Sequence, residues 1–131
     1  MPPQLLLDTH VVIRRLVDAR RLSREQARAM EAAARRTEPL AISAISLVEI
    51  ATLVGDGKLR LKLDEFFADL QSHPVFQILP LSYEIATEVA LLGVLRDPAD
   101  RAIVATARVH RLRLVTSDQR IVESKLVPVV D

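Results

Sequence analysis

The sequence predicts an α/β fold, with a mostly parallel sheet of four to five strands between two layers of helices. Three observations carry that prediction. Short apolar runs alternate with longer stretches of helical periodicity, the runs are apolar on both faces, and two of them end in a carboxylate. With 131 residues, half of them hydrophobic, the chain is long enough for one packed core and short for two, so residues 1–131 are read as a single domain.

The first strand, Gln4–Leu7, runs unbroken into Asp8. A helix from about His10 to Val17 follows. Ser23 and Gln26 then have the spacing of a capping box, opening an Ala-rich helix to about Arg36, which Glu38-Pro39 ends. Leu40–Ile42 reads as a second strand. Ser43 caps the helix AISLVEIATLV, which stops before Gly55-Asp56-Gly57 and carries Glu49 inside it. Leu63, Phe66, Phe67 and Leu70 recur at the spacing of an amphipathic helix, whose stripe faces a core or a partner.

Val75–Leu79 is the third strand, and Ser82 caps a helix extending to about Leu95. Asp97 and Pro98 open the helix Pro98–His110: the aspartate accepts from free N–H groups, the proline fits the first position, and Asp100 suits the positive helix end. Residues 111–115 lead into the fourth strand, which ends in Thr116, Ser117 and Asp118, and Val127–Val130 adds a fifth. Asp118 also suits the N-cap of a short helix, DQRIVES.

Composition narrows the partners. No cysteine occurs, so disulfides and thiolate metal sites are excluded, in keeping with a reducing cytosol. Asp8 interrupts the apolar start, and neither a signal peptide nor a membrane span is expected. The net charge of +1 hides an uneven spread: residues 1–36 carry +4, residues 37–95 carry −5 and residues 96–131 carry +2. Fifteen of the 18 basic residues are arginine, whose planar fork suits bidentate contacts to phosphate. A GC-rich genome produces the same bias, so this points to nucleic acid only weakly.

Parallel sheets bind ligands beyond the carboxyl ends of their strands. Asp8 and Asp118 lie at two such ends, Asp100 sits in the first turn of a helix, and Glu49 lies about one and a half turns into the helix after the second strand. Carboxylates about 5 Å apart repel by roughly 3 kcal/mol per pair at an effective dielectric near 20. A hard divalent cation reverses that cost, because Mg²⁺ and Mn²⁺ select carboxylate oxygens. Against this stands a capping role for each aspartate, strongest for Asp97. The histidines His10, His73 and His110 have no metal-ligand spacing and read as polar or packing residues, with His10 alone near the presumed site.

LLLDTHVVI, SAISLVEIATL, DPADRAIVATA and LVTSD, in that order and spacing, resemble the PIN-domain ribonucleases of bacteria, and most of all VapC-type toxins of toxin–antitoxin pairs. The resemblance runs from Leu5 to about Val130. It implies a PIN-like, Rossmann-like α/β/α fold and an acidic quartet holding Mg²⁺ or Mn²⁺ for RNA cleavage: Asp8, Glu49, Asp100 and Asp118. Thr9, Thr116 and Ser117 match supporting hydroxyl positions, and Asp97 reads as the cap beside Asp100. It further implies a homodimer and a cognate antitoxin bound in a groove near the acids, while the composition leads to the expectation of a cytoplasmic protein with no membrane partner. The helices over 22–36 and 63–70 are candidate partner surfaces. The chain departs from one common family pattern, in which an Asn and a later Asp-Phe follow the last strand; TSDQRI offers only Asp118.

Without a histidine pair or a cysteine, the chain has no evident groups for attack through the RNA 2′-hydroxyl, which leaves metal-activated water. Two other classes are weighed. A receiver-like signalling domain needs paired acids after the first strand, an Asp after the third and a Lys after the fifth, and the chain has Leu79-Pro80 after its third. A catalytically silent PIN-like module that binds RNA or protein is separable only by assay.

Overall fold

In a computed structural model describing residues 1–131, the central strand is β1 (Leu5–Leu7), with all three leucines buried. Around it the chain forms β2 (Leu40–Ser43), β3 (Phe76–Leu79), β4 (Arg113–Val115) and β5 (Val129–Val130), in the spatial order β3-β2-β1-β4-β5. Every pairing is parallel, and Leu6 lies between Ala41 and Leu114. The helices are α1 (Thr9–Val17), α2 (Arg24–Arg35), α3 (Ala44–Gly55), α4 (Leu63–Ser72), α5 (Tyr83–Val89), α6 (Pro98–His110) and α7 (Gln119–Ser124), with a 3₁₀ turn at Ala19–Arg21.

Strand alternation divides the core into two. Leu6, Ala41 and Leu114 point to one face, packed by Ile85, Ile103, Val104 and Ile121 of α5 to α7. Leu5, Leu7, Ile42 and Val115 point to the other, packed by Val11, Val12, Met30, Ile50, Phe66 and Leu70 of α1 to α4. The α4 stripe therefore serves the core: Phe66 and Leu70 are buried, and Leu63 and Phe67 pack against the same cluster. The result is the three-layer α/β/α architecture expected from the sequence, with the sheet entirely parallel.

Several boundaries differ for physical reasons. The helix after Ser82 stops at Val89 rather than near Leu95. Residues 90–95 tighten into turns, with Leu92 N–H donating to Val89 and Leu95 N–H to Leu92. This brings the chain back so that α6 packs along α5, with Leu92 and Leu95 buried as anchors. The last strand is confined to Val129–Val130, because Pro128 lends its carbonyl to Leu114 N–H but has no N–H of its own for the ladder. Helix α6 ends where Arg111 turns left-handed (φ 57°), letting Leu112 N–H reach back to the Ala107 carbonyl. No helix is long and apolar enough to cross a membrane.

Candidate active site

The strand order places β1 between β2 and β4, with chain connections leaving to opposite faces on either side. A crevice opens at such a reversal, beyond the carboxyl ends of the strands. Asp8 leaves β1 there, and its N–H donates to the Val115 carbonyl at the end of β4 (3.0 Å), so Asp8 and Thr116 become neighbours. Asp8, Asp97 and Asp118 are the N-caps of α1, α6 and α7. Capping and site formation are thus one arrangement, since three positive helix ends converge on the carboxylates.

A continuous run of polar contacts joins the four acids. Thr9 Oγ1 donates to Glu49 Oε1, and with its hydrogen committed there it accepts from Ser46 Oγ at 2.8 Å. Thr9 N–H donates to Asp8 Oδ1 (2.8 Å), and Thr116 Oγ1 donates to Asp8 Oδ2 (2.7 Å). Thr116 Oγ1 in turn accepts from Asp118 N–H (3.1 Å). Arg120 then spans two acids, with Nη2 3.1 Å from Asp118 Oδ2 and 3.8 Å from Asp100 Oδ2. Asp97 caps α6 through Ala99 and Asp100 N–H groups (2.8 and 3.3 Å), leaving the Asp100 carboxylate to face the other acids.

The charges register one another. Burial pushes the Asp100 carboxyl up to about 6, reinforced by Asp97, Asp8, Asp118 and Glu49. Glu49 is also raised, by burial and then by Asp8 and Asp97 against the Thr9 hydroxyl that stabilises its charge. For Asp118, burial favours the neutral acid, but the bonds and charge of Arg120 outweigh it and hold the carboxyl below its ordinary value.

Some contributors were not legible in the sequence. Ser117 N–H donates to His10 Nε2 (2.9 Å), which places the ring proton on Nδ1, 3.5 Å from Asp8 Oδ2. Burial keeps this imidazole below its usual pKa, against the pull of Asp8. Ser117 Oγ accepts from the fully buried Gln26 (3.0 Å) and from Arg14 (3.3 Å). Gln26 also closes the capping box with Ser23, so one side chain ties the start of α2 to the loop bearing Asp118. The capping-box spacing signals half of this role; the contact to Ser117, 91 residues away, has no local signature. Ser46 and Arg120 are the other additions.

The sequence profile of the PIN domain matches residues 5–125. The chain belongs to the PIN-domain family. Within it, the chain is 37% identical over 120 residues to Ribonuclease VapC22 of Mycobacterium tuberculosis (strain ATCC 25618 / H37Rv), covering 89% of this chain and 88% of that protein. This bears out the VapC-type resemblance of the motifs. Among solved structures, the VapBC2 complex of Rickettsia felis bound to a promoter DNA fragment shares the fold with a TM-score of 0.73 at 18% identity, covering 98% of this chain and 97% of that one. FitAcB from Neisseria gonorrhoeae follows the same fold, with a TM-score of 0.65, 25% identity, and 97% and 96% coverage.

The donor set of this PIN domain suits a hard cation: carboxylate and hydroxyl oxygens, no thiolate, and a raised Asp100 whose ionisation a nearby positive charge would restore. As the side chains stand, no three acids or histidines are drawn together at ligating separation. Asp118 is turned toward Arg120 and Glu49 toward Thr9, and both side chains have rotatable bonds by which to turn inward.

Proposed function

We propose that this chain is a metal-dependent endoribonuclease of the VapC type, the toxin of a type II toxin–antitoxin pair, which hydrolyses RNA at Asp8, Glu49, Asp100 and Asp118. The carrying observation is that four carboxylates from four separate segments are linked through Thr9, Thr116 and Arg120 at one sheet edge. Such crowding works against folding, and a site for a doubly charged cation gives it a purpose. The 37% identity to Ribonuclease VapC22 supports the same activity.

Mg²⁺ or Mn²⁺ held by these acids would activate water and neutralise charge gathering on the phosphate. Asp8, fixed by Thr9 and Thr116, and Asp100, aimed by the head of α6, are the anchoring carboxylates. Glu49, on a longer side chain and steadied by Thr9, would orient the attacking water. Asp118 completes the outer ring. Ser117 supports the loop through His10, Gln26 and Arg14.

The solved VapBC complexes support a cognate antitoxin as partner. Exposed Leu81, Tyr83, Leu91 and Val94 all fall in one segment around α5, which favours a protein-covered face and a homodimer. The reading includes one PIN domain over residues 1–131, acting in the cytoplasm.

The test is incubation of antitoxin-free protein with total cellular RNA in Mg²⁺ or Mn²⁺, with EDTA in parallel. Discrete fragments that disappear with EDTA and carry 5′-phosphate and 3′-hydroxyl ends are expected. Fragments ending in 2′,3′-cyclic phosphate would overturn hydrolysis by metal-activated water. RNA binding by folded, metal-loaded protein without any cleavage would favour the silent binding module.

A further inference from the structure

We infer that Arg120 is a built-in counter-ion of the acidic site, competing with a divalent cation for Asp118 and Asp100. The inference rests on the reading of these acids as a cation site and adds a residue that the motifs do not contain. Arg120 occupies the second position of α7, directly after the Asp118 cap, so its side chain leaves the helix head beside the acids. Its Nε lies 3.3 Å from Asp118 Oδ1 and its Nη2 3.1 Å from Asp118 Oδ2, a bidentate pairing that uses both oxygens of the carboxylate. The same Nη2 reaches Asp100 Oδ2 at 3.8 Å, so one guanidinium bridges acids from two elements.

This pairing and cation binding compete for the charge and the oxygens of Asp118. Both Asp118 oxygens already have a charged donor in Arg120, and two positive charges in one small space repel. Arg120 also has somewhere to go. Its side chain is 77% exposed, and it borders a cavity of about 170 Å³ with Val94, Leu95, Arg96 and Asp100. Swung off Asp118, the guanidinium would remain in that cavity beside Arg96 and Asp100, where two arginines would be free to meet phosphate. Arg120 is therefore a positioning residue, neutralising the acids in the metal-free protein and yielding them to the cation.

The test is Mn²⁺ affinity of the full chain without RNA, by calorimetry or by the spin-resonance signal of free Mn²⁺, for wild type, Arg120→Gln and Arg96→Gln. Exposed ion pairs bias an equilibrium only modestly, so Arg120→Gln is expected to tighten Mn²⁺ about two- to fivefold. Arg96→Gln removes the same charge from the same cavity without breaking a contact to the acids, and is expected to change affinity less. Unchanged or weaker Mn²⁺ binding by Arg120→Gln would overturn the inference, as would equal tightening by both variants, which would reduce the effect to general charge. Failure of all three proteins to bind Mn²⁺ would instead overturn the cation site itself.

Discussion

Asp100→Asn is expected to lower RNA cleavage at least about a thousandfold while raising the thermal stability of the protein in EDTA. The catalytic loss corresponds to roughly 4 kcal/mol of transition-state stabilisation, the scale for removing an anchoring carboxylate from a metal site. The stability gain follows from the raised carboxyl. With a folded pKa of about 6 against an ordinary 3.8, the Asp100 contribution is fully present below pH 3.8 and is lost as pH rises through about 6. At neutral pH the folded protein carries an ionised Asp100 that its surroundings disfavour. Because the group is only partly shielded from water, the penalty is on the order of 1 kcal/mol. Asparagine has nearly the same shape and no charge, so a rise in Tm of about 3 °C is expected in EDTA at pH 7.5, shrinking toward pH 4. Excess Mg²⁺ should reverse the order, since only wild type gains binding energy from it. A fall in Tm in EDTA would show instead that Asp100 serves chiefly the helix end.

The contrast between Asp100 and Arg120 shows what the sequence could carry. Asp8 and Asp118 were legible because each terminates a buried apolar run, and parallel topology then puts both ends on one edge. Asp100 is singled out only by the family resemblance, because a cap at Asp97 and a favourable helix end at Asp100 account for DPADR by themselves; in the structure Asp97 makes the cap. Glu49 required the helix after Ser43 to point back at β1, which the Thr9 contact achieves. Arg120, Gln26 and His10 carry no such signal. Their roles lie in contacts to Asp100, to Ser117 from 91 residues away and to Ser117 from 107, whereas the sequence signals only a capping box at Gln26, a polar or packing ring at His10 and nothing at Arg120. The overextended helix after Ser82 has the same origin: its apolar spacing suits a helix, and only the packing of α6 against α5 forces the turns.

Thr116→Val should separate the support of the site from its acids. Thr116 is fully buried, and its hydroxyl both donates to Asp8 Oδ2 and accepts from Asp118 N–H, making it the only side chain bonded to both the β1 and the α7 acid. Valine fills the same space without the hydroxyl, leaving a buried carboxylate oxygen short of a donor and a backbone N–H short of an acceptor. Loss of a hydrogen bond to a charged group costs about 2 kcal/mol, or about 6 °C in Tm for a chain of this size. Outer partners of metal-ligating carboxylates are typically worth 10- to 100-fold, so cleavage should fall by about that factor and Mn²⁺ affinity with it. Thr116→Ser keeps the hydroxyl and should recover most of both. If valine lowers Tm while leaving cleavage and Mn²⁺ affinity at wild-type values, Thr116 stitches β4 to β1 and nothing more, and the aim of Asp8 must come from Thr9 N–H and His10 alone.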